Sequence, residues 1–226
     1  MELSTRTVEI LRNFSTINQN IVVNGGNVIK TMSIAKNIVS QAEIEESFPS
    51  SFGIYDLSEF LSVLSLVDNP TIDFGENFCT VRDGSGLSSV RYFYSDPEML
   101  SAPKKEIIMP ECEVRFLLTN ETLSKIKRAA SALGYDTVSI RPDGNSVRID
   151  VVDTENTTSN SYSIQVEGTF PEGADFNFVM GVNNMKLLGD DYEVSISTKL
   201  ISSFRSTSGK TEYLSLIHIS EPTRPY

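Results

Sequence analysis

Apolar residues fall at helical spacing in two long stretches, and each stretch precedes a run of strand-like segments. In the first, Ser4–Phe14 (STRTVEILRNF), Val8, Leu11 and Phe14 recur at i, i+3 and i+6 with Ile10 beside them, and Ser4 is the expected N-cap. Alternating residues in Gln19–Val23, the tetrad Asn24-Gly25-Gly26-Asn27 and the run Val28–Met32 predict a hairpin with a glycine turn. Ile38–Ile44 and, after Pro49, Phe52–Tyr55 have the composition of strands. Asp56–Leu66 (DLSEFLSVLSL) predicts a second helix, with Asp56 as cap and Glu59 as its capping-box partner. Its apolar residues occupy more than one side, as in a helix that is deeply buried or meets another subunit. Strands are expected at Thr71–Phe74, Phe78–Arg82 and Leu87–Tyr94, with turns at Gly75 and Asp83-Gly84-Ser85-Gly86.

The order of helix, hairpin and strands then recurs, offset by about 115–130 residues, the size of a small domain. Thr119 or Asn120 caps a helix over Asn120–Leu133 (NETLSKIKRAASAL), whose apolar face is Leu123, Ile126, Ala130 and Leu133. Tyr135–Arg141 and Ser146–Val152 bracket Asp143-Gly144 as a hairpin, and a short helical stretch is expected near Asn183–Leu187. Further strands are expected at Tyr162–Glu167, Phe176–Met180, Tyr192–Thr198 and Ser202–Ser206. Between the two copies, Ser95–Pro110 (SDPEMLSAPKKEIIMP) has three prolines and no period, so it is an extended connector. The expected organisation is two α+β domains, residues 1–104 and 105–226.

Composition narrows the function classes. No apolar run approaches the ~20 residues of a membrane helix, and the N-terminus has no basic stretch followed by an apolar one, so no signal peptide is expected. Cys79 and Cys112 lack metal-type neighbours and are expected to be ordinary thiols; His218 is the single histidine. Neither a cofactor nor a metal site is expected. The glycines at 25 and 26 are followed by no Lys-Ser/Thr and no helix, which argues against a phosphate loop. Adjacent acids such as Asp190 and Asp191 point different ways from a turn, so no catalytic residue is expected.

The net charge of −11 opposes nucleic-acid binding unless the two signs are segregated. They are segregated: Arg6 and Arg12, then Lys125, Lys127 and Arg128, lie in the two long helices, while acids gather in turns and strands, as at Glu43/Glu45/Glu46 and Asp190/Asp191/Glu193. Taken alone, such a basic face is also what an ordinary solvated helix presents.

Three segments in order carry a family resemblance: Leu11–Asn18 (LRNFSTIN); Ile54–Leu57 (IYDL) with Phe60-Leu61 and Leu64–Val67; and Asn177-Phe178 with Asn183–Lys186 (NNMK). Up to about Tyr213 the chain resembles the sliding clamps of T4-like bacteriophages, the DNA polymerase processivity factors. The resemblance implies two tandem DNA-clamp domains per chain and three chains in a ring, with antiparallel sheets outside and helices lining a hole. It implies sequence-independent contact with duplex DNA through Arg6, Arg12, Lys125, Lys127, Arg128 and Lys186. It also implies a DNA polymerase as tethered partner, an ATP-dependent clamp loader, no enzymatic activity, and residence in the cytoplasm of the infected bacterial host, away from membrane. A polymerase docking peptide needs exposed apolar surface beside mobile backbone, and in the connector Met99, Leu100, Ile107 and Ile108 offer it. A tube or baseplate-type phage structural protein would also be acidic, β-rich and oligomeric, but has no need of basic helices. Leu214–Arg224 (LSLIHISEPTR) departs from the family and looks like a translated sequencing-library adapter, so Leu214–Ile219 is expected to pair as a makeshift strand or be disordered, and Glu221–Tyr226 to be irregular.

Overall fold

The Ser4 hydroxyl accepts the Thr7 N–H and opens helix α1, Thr5–Ile17. The computed structural model describes residues 1–103, 107–156 and 158–219, which fall into two units, Met1–Glu106 and Ile107–Tyr226. The expected boundary at residues 104 and 105 lies outside the described residues.

In the first unit, the buried stripe of α1 is Thr7, Ile10, Leu11, Phe14 and Ile17. This corrects the expected face: Val8 is half-buried, and Ile10, expected at the flank, is in the core. Steps of three residues drift around a helix of 3.6 residues per turn, whereas alternating steps of three and four hold one face. The expected hairpin at Asn24–Asn27 does not form. Strand β1, Ile21–Val23, pairs antiparallel with β4, Phe52–Ile54, while β2, Gly26–Met32, pairs with β3, Ile38–Phe48. Asn24–Gly26 is a corner that takes the chain from one sheet to the next. Gly26 has φ 105° there, and the Gly25 N–H donates to Ser51 Oγ at 3.3 Å. Burial of Ile21 and Val23 against the long-range partner outweighs the local turn signal. The real hairpin turn is at Ser33–Asn37, where Ser33 Oγ accepts the Asn37 and Ile38 N–H groups.

Helix α2, Leu57–Leu64, is capped by Asp56, which accepts the Glu59 N–H. It buries Leu57, Phe60 and Leu64 and packs against α1; Leu66 lies beyond its end and is exposed. Strands β5 (Thr71–Phe74), β6 (Phe78–Arg82) and β7 (Ser89–Phe93) form an antiparallel sheet in that order, with β7 at its edge. The rings of Phe48, Phe52, Phe74 and Tyr94 meet beside it, with centroids 4.8 to 5.7 Å apart.

The second unit begins with β8, Val114–Leu118, a strand absent from the sequence expectation. Its Val114, Phe116 and Leu118 are buried and its Arg115 and Leu117 exposed, a period-two signal that the adjoining connector leaves without turn residues. Helix α3, Asn120–Leu133, runs from the Thr119 cap to Gly134, which closes it at φ 72°. Leu123, Ile126 and Ala130 are buried, whereas Leu133, expected among them, is half-buried in the last turn. Strands β9 (Thr137–Asp143) and β10 (Ser146–Val152) form the expected hairpin, with Gly144 at φ 61°. They are followed by β11 (Tyr162–Thr169), β12 (Phe178–Gly181), β13 (Tyr192–Ser197), β14 (Ile201–Ser206), β15 (Thr211–Leu216) and β16 (His218–Ile219). The expected helix near Asn183–Leu187 is a single 3-10 turn, Val182–Asn184. Neighbours within the unit's sheet run β16-β12-β9-β10-β11-β8-β13-β14-β15, and α3 packs on β10 and β11.

The adapter-like tail is paired. Leu214, Ser215 and Leu216 lie opposite Ser203, Ser202 and Ile201, Ile217 is buried, and β16 pairs with β12. The buried side is Tyr213, Ser215 and Ile217, whereas Leu214 is half-buried and Leu216 exposed, so register with β14 and not the leucine alternation selects what the tail buries. Glu221–Tyr226, expected to be irregular, lie outside the described residues.

Candidate nucleic-acid interface and docking segment

The face of α1 opposite its buried stripe exposes Thr5, Glu9, Arg12 and Thr16 at successive turns, with Arg6 and Asn13 alongside. On α3 the corresponding exposed face carries Glu121, Ser124, Lys125, Arg128 and Ala132. Both faces follow from burial of the other side, since a stripe facing the core leaves the polar positions in solvent. Arg6 pairs with Glu9 at 3.5 Å, and Lys125 with Glu121 at 2.6 Å. The Lys125 ammonium holds the Glu121 carboxyl below its usual range, and Glu121 in turn raises Lys125. Arg128 is exposed and its Nε donates to the Ser124 carbonyl at 3.4 Å.

Two of the expected basic residues stand elsewhere. Lys127 is half-buried on the flank of α3, its Nζ donates to the Leu187 carbonyl at 3.4 Å, and burial lowers its pKa. Lys186 is half-exposed and follows the 3-10 turn instead of lying on a helix.

Each long helix has its start pinned by a carboxylate distant in sequence. Glu46 of β3 accepts the Ser4 N–H and the Thr7 hydroxyl, while Asp191, just before β13, accepts the Asn120 N–H at 2.7 Å. These two groups satisfy N–H donors that a helix cannot satisfy itself and sit at the positive end of its dipole. Burial pushes the Glu46 carboxyl up, but its hydrogen bonds from Ser4 and Thr7 outweigh that and hold it below the ordinary glutamate range. Sequence reading missed both, because the pairing is 71 residues apart for Asp191 and 42 for Glu46.

The first half of the connector is seated on its own unit. The Ser95 N–H donates to the Gly53 carbonyl at 2.9 Å, and the Ser101 N–H donates to Asn20 Oδ1 at 3.1 Å. A Cβ at Gly53 would lie 2.5 Å from the Ser95 carbonyl oxygen and 2.7 Å from Leu100 Cδ1, so this strand position has room for glycine alone. A glycine inside a strand run was the available sequence signal. Leu100 is partly covered there, whereas Met99 is 83% and Ile108 86% exposed; Ile107 is exposed as well.

Each unit also presents a strand edge. Among the described residues β7 pairs with β6 alone. β11 pairs with β10 along Tyr162–Glu167 and meets β8 only at Gly168 and Thr169, so most of its second edge has no strand partner among the described residues. At the divergence of β11 from β8 lies an open cleft of about 720 Å³ lined by Arg115, Leu117, Glu167, Thr169 and Glu193 among others. Among the described residues no three or more His, Cys, Asp or Glu side chains are grouped to hold a metal ion, and no helix is long and apolar enough to cross a membrane.

Comparison with known proteins places these features in a family. Residues 4–79 match the family model for DNA polymerase processivity factors, and residues 115–216 match that for the C-terminal part of the gp45 sliding clamp. The second match extends through Leu216, three residues past Tyr213. The sliding clamp of Vibrio phage KVP40 is 32% identical over 213 residues, covering 92% of this chain and 96% of that protein. The sliding clamp of Enterobacteria phage T4 is 29% identical, covering 88% of each chain. In fold, the chain is similar to Proliferating Cellular Nuclear Antigen from Entamoeba histolytica, at a TM-score of 0.69 and 14% identity over 93% of this chain and 94% of that one. It is also similar to the H. pylori beta clamp, at 0.71 and 12% identity over 96% of this chain and 65% of that one. A tube or baseplate subunit finds no counterpart among these matches. With two α+β units, each built on antiparallel sheet, and a relative this similar over nearly its full length, the chain belongs to the sliding clamp family of DNA polymerase processivity factors.

Proposed function

We propose that three copies of this chain close head to tail into a ring around duplex DNA, with α1 and α3 lining the hole. The observation that carries the reading is the repeated basic stripe. In an acidic chain, Arg12 on α1 and Lys125 and Arg128 on α3 stand on the exposed faces of the two helices whose other faces hold the sheets. Arg6 stands beside the first stripe, Lys186 is a peripheral contact, and Lys127, held by the Leu187 carbonyl, supports the helix flank. The contacts are to phosphates and carry no sequence information. The edges of β7 and β11 pair between neighbouring chains; being different surfaces, they make a heterologous joint that a closed ring satisfies completely.

The ring does no bond chemistry. It acts in the cytoplasm of the infected bacterium, where an ATP-dependent loader closes it on DNA. It holds the DNA polymerase through a peptide docked beside the connector at Met99, Leu100, Ile107 and Ile108. Tethering raises the polymerase's effective concentration at the primer end, so rebinding precedes escape. Residues 1–104 and 105–226 are its two clamp domains.

The test is retention on closed circular DNA at rising salt. The double variant Lys125→Ala/Arg128→Ala should weaken retention and make the log–log salt dependence shallower by about one unit for each phosphate that is no longer neutralised. An unchanged slope would return both residues to an ordinary solvated face. For the partner, Met99→Glu with Ile108→Glu should abolish processive synthesis while the oligomer keeps its mass. Normal processivity would move the docking site elsewhere.

A further inference from the structure

Both proposed DNA-facing stripes have the same internal feature: a basic side chain already engaged by a carboxylate one turn away on the same exposed face. Glu9 holds Arg6 at 3.5 Å on α1, and Glu121 holds Lys125 at 2.6 Å on α3. The two pairs differ in spacing and sequence, i to i+3 with the base first and i to i+4 with the acid first, so they are not a copied motif. The glutamates are 50% and 75% exposed in their side chains. Exposed pairs of this kind add little to stability, so helix strength gives small reason to keep both.

From this arrangement we infer that Glu9 and Glu121 limit the affinity of the DNA face: each occupies a cation that would otherwise bind phosphate, which keeps the ring's hold on the duplex weak enough to slide. The inference rests on the reading of α1 and α3 as the DNA-facing helices. Binding strength on duplex DNA grows with each phosphate that a Lys or Arg neutralises, through release of condensed counterions. A cation that must first leave a carboxylate contributes less, and the carboxylate left behind repels the phosphate that replaces it. Arg12 and Arg128 supply the standing attraction, and the paired cations are a reserve that engages one phosphate as another is released. Asp191 and Glu46 play no part in this, since Asp191 accepts the Asn120 N–H and Glu46 the Ser4 N–H and the Thr7 hydroxyl at the helix starts.

The experiment compares Glu9→Gln/Glu121→Gln with the unaltered protein and with Glu76→Gln. Glu76 is exposed in the turn between β5 and β6 and carries a like charge that belongs to neither helix. Loaded rings are tracked along end-blocked linear duplex to obtain their one-dimensional diffusion coefficient, and equilibrium binding to duplex is titrated at several salt concentrations. The double glutamine variant should bind about tenfold more tightly at low salt, with a slope steeper by about 0.9 for each additional phosphate neutralised, and should diffuse more slowly. Glu76→Gln should leave both readings unchanged. The inference is overturned if the double variant matches the unaltered protein while Lys125→Ala/Arg128→Ala still flattens the slope; the helices then face DNA but the glutamates do not restrain them. If Lys125→Ala/Arg128→Ala has no effect on the slope either, the DNA-facing reading itself fails and this inference with it. Equal tightening by Glu76→Gln would also overturn it, because net charge alone would then be responsible.

Discussion

Replacing Gly53 by alanine should release the connector from the first unit. The added Cβ would lie 2.5 Å from the Ser95 carbonyl oxygen. An ordinary carbon–oxygen contact is about 3.3 Å, so the two backbones must separate by about 0.8 Å. The Ser95 N–H bond to the Gly53 carbonyl, now 2.9 Å, would stretch beyond hydrogen-bonding range. Leu100 Cδ1, at 2.7 Å from the same point, can rotate away, but the Ser95 carbonyl is backbone and cannot. Loss of the bond costs about 0.5–1.5 kcal/mol and overpacking about 1–3 kcal/mol. The cheapest relief is local detachment of Ser95–Ser101, which makes no strand pairing beyond the single Gly53–Ser95 bridge and ends on the Asn20 contact. A local opening made easier by about 2 kcal/mol multiplies the open population roughly thirty-fold, and proteolysis under rapid opening tracks that population. The assay is therefore limited proteolysis with chymotrypsin, following cleavage after Leu100. The double variant Gly53→Ala/Leu100→Ala should be cut at Met99 just as readily, since removing the side chain leaves the backbone clash in place. Cleavage of Gly53→Ala within twofold of the unaltered rate would show that the connector is held by something other than the Gly53 notch.

Glu46 and Ile217 give two further expected outcomes. Glu46 has a carboxyl held below its ordinary value in the folded state, so its stabilisation is present above the unfolded glutamate range and is lost as pH falls through the folded value; Glu46→Gln should flatten that acid limb of a denaturant-midpoint titration, and an unaltered limb would deny the cap its ionic character. Ile217, 2% exposed despite lying in the adapter-like tail, should cost about 2–4 kcal/mol on truncation to alanine, measured by chemical denaturation, and a loss under about 0.5 kcal/mol would show that the tail is packed without contributing.

Much of this protein was legible from local pattern alone. The limits of α3, the hairpin at Gly144, the strands β5 and β6, and the caps Ser4, Asp56 and Thr119 depend on neighbours a few residues apart, and short-range chemistry decides them. The segregation of basic residues onto two helices was visible for the same reason, since helical periodicity sorts faces before any tertiary contact exists. What the tertiary structure decided is everything that depends on which strand meets which. Asn24-Gly25-Gly26 has the composition of a hairpin turn, yet β1 is claimed by β4 and β2 by β3, so the glycines turn a corner between sheets. The exchange of Val8 and Ile10 belongs with the local rules, because steps of three and four from Thr7 to Ile17 hold one face where steps of three from Val8 drift off it. Helical spacing alone sets Lys127 about 200° from Lys125, on a flank, but only the fold brings the Leu187 carbonyl to its ammonium. The carboxylates of Glu46 and Asp191 reach helix starts far away in the chain, and the Gly53 notch exists only because Ser95 crosses it. Sequence periodicity specifies which side of an element is apolar, whereas long-range packing specifies what covers that side and which polar groups are left to act.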